Sequence, residues 1–159
     1  MSLSRLEVPL LGKPVWTTGD VLLRAELDLL LEDHGGLWKP EIFRVDSGTE
    51  MTMMPAHLAR SLDLPMPRDP VPGGLDVSGV RREVRAGLLR AQIVGMDATE
   101  YVFPCYFVGD PNRPHDPKGP PTLPRNLLGL TGVVDQLRFT FDGTPSGGSP
   151  HGILAIERM

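Results

Sequence analysis

Cysteine is almost absent from this chain: 159 residues include one, Cys105. An internal disulfide is therefore excluded, and stability has to come from packing. A lone thiol fits a reducing compartment, and the expected location is cytoplasmic. Positive charge is also short. The formal net charge of −4 leaves no electrostatic footprint for nucleic acid. No apolar run is long enough to cross a bilayer, so no membrane partner is expected. The start, Met1-Ser2-Leu3-Ser4-Arg5, lacks the apolar core of a secretory signal and is expected to stand outside the fold. His34, His57, His115 and His151 show no metal-ligand spacing. They are expected at the surface, with no metal and no cofactor. No internal repeat is visible, so two copies of one lobe are excluded.

What is present is ordinary for a globular chain: 40% hydrophobic and 23% charged residues. The length predicts one domain, 1–159, with a real core. Gly (18) and Pro (17) are spread through the chain and punctuate its apolar runs, which predicts many short strands and turns. From Leu23 to Leu31, apolar residues at every second position alternate with Arg24, Glu26 and Asp28. That period of two argues a strand, although leucine and alanine also favour helix. Further strands are expected at Ile42–Val45, Met51–Met54, Val84–Val94, Glu100–Val108, Arg138–Asp142 and Ile153–Ile156. Pro55 to Leu62 reads as a short helix with proline in its first turn. Val133 to Leu137 reads as a helical turn, and Gly143 to Pro150 as a flexible loop. Gly109 to Arg125 is a long Pro-rich connection, and such loops are usually functional or mobile.

The chemistry-bearing feature is Asp46-Ser47-Gly48, which follows Ile42-Phe43-Arg44-Val45 and leads into Thr49-Glu50-Met51. An aspartate at a strand end, on a tight turn closed by glycine, is held with little conformational choice. A carboxylate that activates a water needs that. The plainer reading is an aspartate bonding its own turn backbone. A second stretch, Leu127-Leu128-Gly129, precedes a turn and a strand.

Taken together, Phe43 to Thr49 and Leu127 to Leu137 resemble the single-lobe, retroviral-type (retropepsin-like) aspartic proteases, over about Val21 to Asp142. The resemblance implies an all-β, closed acid-protease barrel with one or two short helices, working as a symmetric homodimer. Such enzymes use two carboxylates about 3 Å apart that share a proton, one acting as base toward water and the other donating to the peptide carbonyl. Only Asp46 has the required context here. Asp76-Val77-Ser78-Gly79 has the wrong spacing and Asp142-Gly143-Thr144 the wrong order. The second carboxylate must then come from another copy. By the resemblance, Asp46 is catalytic, and Ser47, Gly48 and Thr49 support its turn. Leu128 and Gly129 form the structural loop motif. Glu50, Leu123, Leu127 and a glycine-rich flap carrying Gly73, Gly74 and Gly79 border the cleft for a peptide or protein substrate. Pro120 to Pro124 would wall that cleft. The chain departs from the family pattern at Leu130, where retroviral enzymes carry an arginine that pairs with the acid at the position of Glu50. Ile153 to Ile156 is expected to supply a strand to the dimer sheet.

Other readings stay open. A retropepsin-fold dimerisation or peptide-binding module with weak or no turnover is motivated by Leu130 and the Pro-rich loop. A metal-dependent hydrolase built from scattered His and Asp would require loss of activity to a chelator. Cys105, in an apolar run with no nearby histidine, reads as a buried small hydrophobe. Met51, Met53 and Met54 read as core or cleft filler, Trp16 and Trp38 as core, and Arg81-Arg82-Glu83 as a solvated edge.

Overall fold

The alternation that begins near Val21 becomes one long strand around which the rest is arranged. The computed structural model describes residues 4–77, 79–113 and 126–159. Among them, twelve strands and one helix follow in order: β1 (Arg5–Pro9), β2 (Leu11–Pro14), β3 (Val21–Glu32), β4 (Trp38–Val45), β5 (Thr52–Pro55), α1 (Ala56–Ser61), β6 (Leu75–Val77), β7 (Val80–Arg82), β8 (Val84–Ile93), β9 (Tyr101–Val108), β10 (Asn126–Leu128), β11 (Leu137–Asp142) and β12 (Ile153–Arg158). Six of these close into a barrel, β3-β4-β10-β5-β9-β8, completed by pairing of β3 with β8. Closure removes the exposed sheet edges that an open sheet would leave.

The barrel interior is filled from alternate positions. Leu27, Leu29 and Leu31 of β3 are buried, as are Phe43 of β4, Met54 of β5, Phe103 and Phe107 of β9, and Leu128 of β10. Full burial of a leucine or phenylalanine stabilises by about 1.5–3 kcal/mol, so these positions dominate the core. Cys105 sits among them, fully buried. Burial pushes its thiol far above the ordinary thiol range, and it acts as a small apolar filler.

A second, three-stranded sheet, β1-β12-β11, lays Leu154 and Ile156 on the barrel, with Leu6, Val8 and Phe139 beside them. Here the structure corrects two expectations. Arg5 opens β1 and makes ion pairs with Glu7 and Glu157, so the residues from Ser4 onward belong to the fold. β12 has β1 on one side and β11 on the other, so Ile153–Ile156 has no free edge to offer a partner.

Two tryptophans were expected in the core. Trp38 is half-buried, but Trp16 is 94% exposed. Thr18 and Gly19 both donate backbone bonds to Val15 O, and that tight turn between β2 and β3 throws the Trp16 ring outward. His34 is exposed and His57 and His151 are half-buried. The His151 ring lies where a Cβ on Gly12 would be, 2.4 Å from Nε2. His115 lies outside the described residues. Val133 to Leu137 forms consecutive turns, with Val134 and Leu137 donating to Leu130 O and Val133 O. Gly143 to Pro150 contains a closed turn in which Ser146 and Ser149 exchange backbone bonds of 3.0 Å.

The turn joining β3 to β4 is organised by Asp33, whose side chain is 4% exposed. Its Oδ1 accepts the Leu37 and Gly35 amides at 2.9 and 2.8 Å, and Lys39 Nζ lies 3.1 Å from Oδ2. The Leu37 amide, then Lys39 and the Gly35 amide, hold this carboxyl below the usual range, against the opposing effect of its desolvation. A carboxyl lowered on folding stabilises the fold above its unfolded value, and that contribution is lost as pH falls through the folded value. Asp33→Asn is therefore expected to lower the melting temperature at pH 7 and to match the parent well below pH 4. Thermal melts across that range check this, and a pH-independent difference would refute it.

Candidate active site

β4 runs out of the barrel at Val45, and Asp46 begins the turn. β10 lies parallel to β4 with Leu128 opposite Val45. The next amide, Asp46 N–H, donates to Leu128 O at 3.0 Å. Asp46 O accepts Thr49 N–H at 3.2 Å. Asp46 Oδ1 accepts Gly48 N–H at 3.0 Å. The residue is thus fixed at its amide, its carbonyl and one carboxylate oxygen, while Oδ2 has no partner among the described residues. Asp46 is half-buried, and Ser47 and Gly48 are exposed. A Cβ on Gly48 would stand 3.3 Å from Asp46 Oδ1, so glycine leaves room for the carboxylate to reach the amide.

The turn is locked from a distant part of the chain. β10 inserts between β4 and β5, parallel to the first and antiparallel to the second. Gly129 N–H then donates to the buried Thr52 hydroxyl at 3.1 Å. Leu130 N–H donates to Thr49 O and Glu50 O at 3.1 Å, and Thr131 N–H to Glu50 O at 2.8 Å. The Leu128-Gly129 segment therefore clasps the chain on both sides of the Asp46 turn. Thr52 is the polar fixture of this clasp. Its signal in the sequence is slight: one hydroxyl in the apolar run Met51–Met54.

Two pockets meet at the turn. One, of about 550 Å³, has Asp46, Ser47, Leu22, Leu23 and Phe141 in its wall together with the cationic Lys13, Arg24 and Arg44. Arg24 Nε lies 3.5 Å from Glu26 Oε1. The other, of about 360 Å³, is mostly apolar and shares Ser47 and Phe141 with the first. Its wall includes Leu130, Val134 and Met159. The cationic wall was not visible in the sequence, because β2 brings Lys13 to the site only through its pairing with β3.

The remaining expected site residues are distributed as follows. Leu127 is half-buried in β10, opposite Arg44 and Met53. The Glu50 side chain is exposed and makes no ion pair with a described residue. Gly73 and Gly74 form the turn before β6, and Gly79, with φ of +80°, is at the tip of the β6–β7 hairpin. Asp76 and Arg81 face each other across that hairpin at 3.4 Å, and Val77 packs with Val84 and Val108. These three glycines line neither of the two pockets. Leu123 and the Pro120–Pro124 stretch lie outside the described residues. Among the described residues, no three His, Cys, Asp or Glu side chains converge as a metal-binding set.

No protein-family model and no curated protein sequence matches this chain. Among solved structures, it is similar to the crystal structure of a retropepsin-like aspartic protease from Rickettsia conorii. The likeness covers 97% of this chain and 92% of that one, with a TM-score of 0.53 and 13% identity. At that identity the likeness establishes a shared fold: this chain has the single-lobe, retropepsin-like β-barrel.

Proposed function

We propose that the chain is half of an aspartic peptidase, completed by a second copy that brings its own Asp46. The observation that carries this reading is the Asp46 turn itself. A half-buried aspartate is held at its amide, its carbonyl and one carboxylate oxygen, keeps the other oxygen unengaged, and lines a pocket large enough for side chains. General acid–base chemistry needs a carboxylate positioned in this way. A peptide bond is the substrate that two facing carboxylates suit. One draws a proton from water as the oxygen attacks the carbonyl carbon, and the other protonates the carbonyl oxygen. Collapse of the tetrahedral species then expels the amine, which takes up a proton. Leu128, Gly129 and Thr52 hold the turn in place. No cofactor enters this reading, and neither nucleic acid nor a membrane surface is among the proposed partners.

Because each chain carries one such aspartate, the rate per chain should depend on concentration. With a peptide mixture followed by mass spectrometry, the rate per chain is expected to fall on dilution through the dimer dissociation constant. Inhibitors that mimic the tetrahedral species should block it. A per-chain rate that stays constant from micromolar to nanomolar enzyme would remove the two-chain reading, and loss of activity to a chelator would redirect it to metal chemistry. A folded dimer that binds peptides without cleaving them would leave a binding module.

A further inference from the structure

Charge is unevenly spread over this chain. The whole carries a net charge of −4, yet the pocket of about 550 Å³ beside the Asp46 turn has Lys13, Arg24 and Arg44 in its wall, with Asp46 as its one acid. Of the two pockets that meet at Ser47, only this one includes the aspartate. A side chain next to a bond held at Asp46 would therefore enter a cationic space.

The strand registers show how the cations come together. Lys13 of β2 stands opposite Leu22 of β3, and Leu11 stands opposite Arg24. Residues opposite each other on paired strands share a face, as do residues two apart on one strand. Lys13 and Arg24 are thus diagonal neighbours on one face of the β2–β3 hairpin, about 7–8 Å apart by strand geometry. Neighbouring like charges on a sheet face repel. A carboxylate between them would replace that repulsion with two charge-assisted hydrogen bonds, one to each cation.

No described acid takes that place. Lys13 is exposed and makes no ion pair among the described residues. Arg24 Nε is closed to solvent without a hydrogen bond among them, and Glu26 Oε1 stands 3.5 Å from it, too far for a strong one. Glu26 also stands opposite Arg44 in the β3–β4 register, so one acid adjoins two arginines. Leu22 and Leu23, 60% and 52% exposed, line the same pocket and offer apolar surface to the methylene groups of an incoming side chain. An extended peptide crossing the Asp46 turn brings internal side chains here, whereas a chain end arrives only if the cut lies at the terminus.

We propose that the pocket beside Asp46 is a subsite for the side-chain carboxylate of a peptide, Asp or Glu, bound by Lys13 and Arg24. The proposal rests on the peptide-cleaving reading of the Asp46 site and names the residue class that the site selects.

The test uses short synthetic peptides in matched sets that differ by Glu, Gln or Lys at one position, each made with an amidated and with a free C-terminus. Retention on immobilised Asp46→Asn protein reads binding, and cleavage by the parent chain reads hydrolysis, both by mass spectrometry. At low salt, amidated Glu peptides are expected to be retained and cut at least about fivefold better than their Gln counterparts. That ratio should fall toward one as salt rises. Lys13→Glu, made in both the parent and the Asp46→Asn chain, should bring the Glu-to-Gln ratio below about two in both assays, while Lys13→Arg should keep it. Lys13 is exposed on a short edge strand, so the fold should tolerate both changes; Lys13→Gln, with an intermediate ratio, serves if Lys13→Glu does not fold. A ratio near one, or one that the loss of the Lys13 charge leaves unchanged, overturns the proposal. So does an acid preference confined to peptides with a free C-terminus. Selective retention without cleavage by the parent keeps the subsite and removes the peptidase reading. Cleavage without acid preference does the reverse.

Discussion

Asp46→Asn is expected to cut peptide hydrolysis at least about 10³-fold, equivalent to about 4 kcal/mol of transition-state stabilisation. In the proposed two-chain enzyme the change alters both aspartates at once, so no carboxylate would remain to take the proton from water. The turn itself should survive. Asparagine keeps a carbonyl oxygen where Asp46 Oδ1 accepts the Gly48 amide at 3.0 Å, and the Leu128 and Thr49 backbone bonds are untouched. A melting temperature within a few degrees of the parent, with activity gone, is therefore the expected pair of results. Mixing the variant with parent chains should poison activity by forming dimers with one carboxylate. Hydrolysis that persists in purified Asp46→Asn protein at more than a tenth of the parental rate would end the assignment of Asp46 as the reacting group.

The second large effect is structural. Gly129→Ala would place a methyl group 2.4 Å from Met51 C, 2.6 Å from Met51 O and 2.8 Å from Thr52 N. All three are backbone atoms of the chain entering β5, so no side chain can swing aside. Overpacking of this kind costs about 1–3 kcal/mol, occasionally more, and the fixed backbone places this site at the upper end. A fall in melting temperature of roughly 6–12 °C follows for a chain of this size. The displacement also bears on chemistry, because β10 carries the Leu128 carbonyl that holds the Asp46 amide. The variant should lose activity at temperatures where it is still folded. A melting temperature unchanged within about 2 °C would show that β10 and β5 slide apart without cost.

Much of this architecture was legible because its signals are local. The period of two from Leu23 to Leu31 became β3, with Leu27, Leu29 and Leu31 buried. Pro55 marked the start of α1, and the Asp46 turn followed from an apolar strand meeting Ser-Gly. Other parts were hidden for identifiable reasons. β1 and β2 carry Arg5, Glu7 and Lys13 on short edge strands, so they lack the apolar density by which strands are read. Trp16 is exposed because its turn, rather than its hydrophobicity, sets its direction. The cationic wall of Lys13, Arg24 and Arg44 exists only through the registers of β2 with β3 and of β3 with β4, and registers between distant strands leave no mark at either site alone. Gly129 was visible as a motif, but the Met51 backbone that demands it was not.

The insertion of β10 also shapes how the protein can be born. β4 and β5 are made early and consecutively, yet each leaves the ribosome facing a slot that only Asn126–Leu128 can fill. Until those residues emerge, the Asp46 amide lacks its anchoring carbonyl, and two strand flanks stay open to any passing chain. The Asp46 turn is thereby completed only after Asn126–Leu128 has been synthesised, long after the aspartate itself.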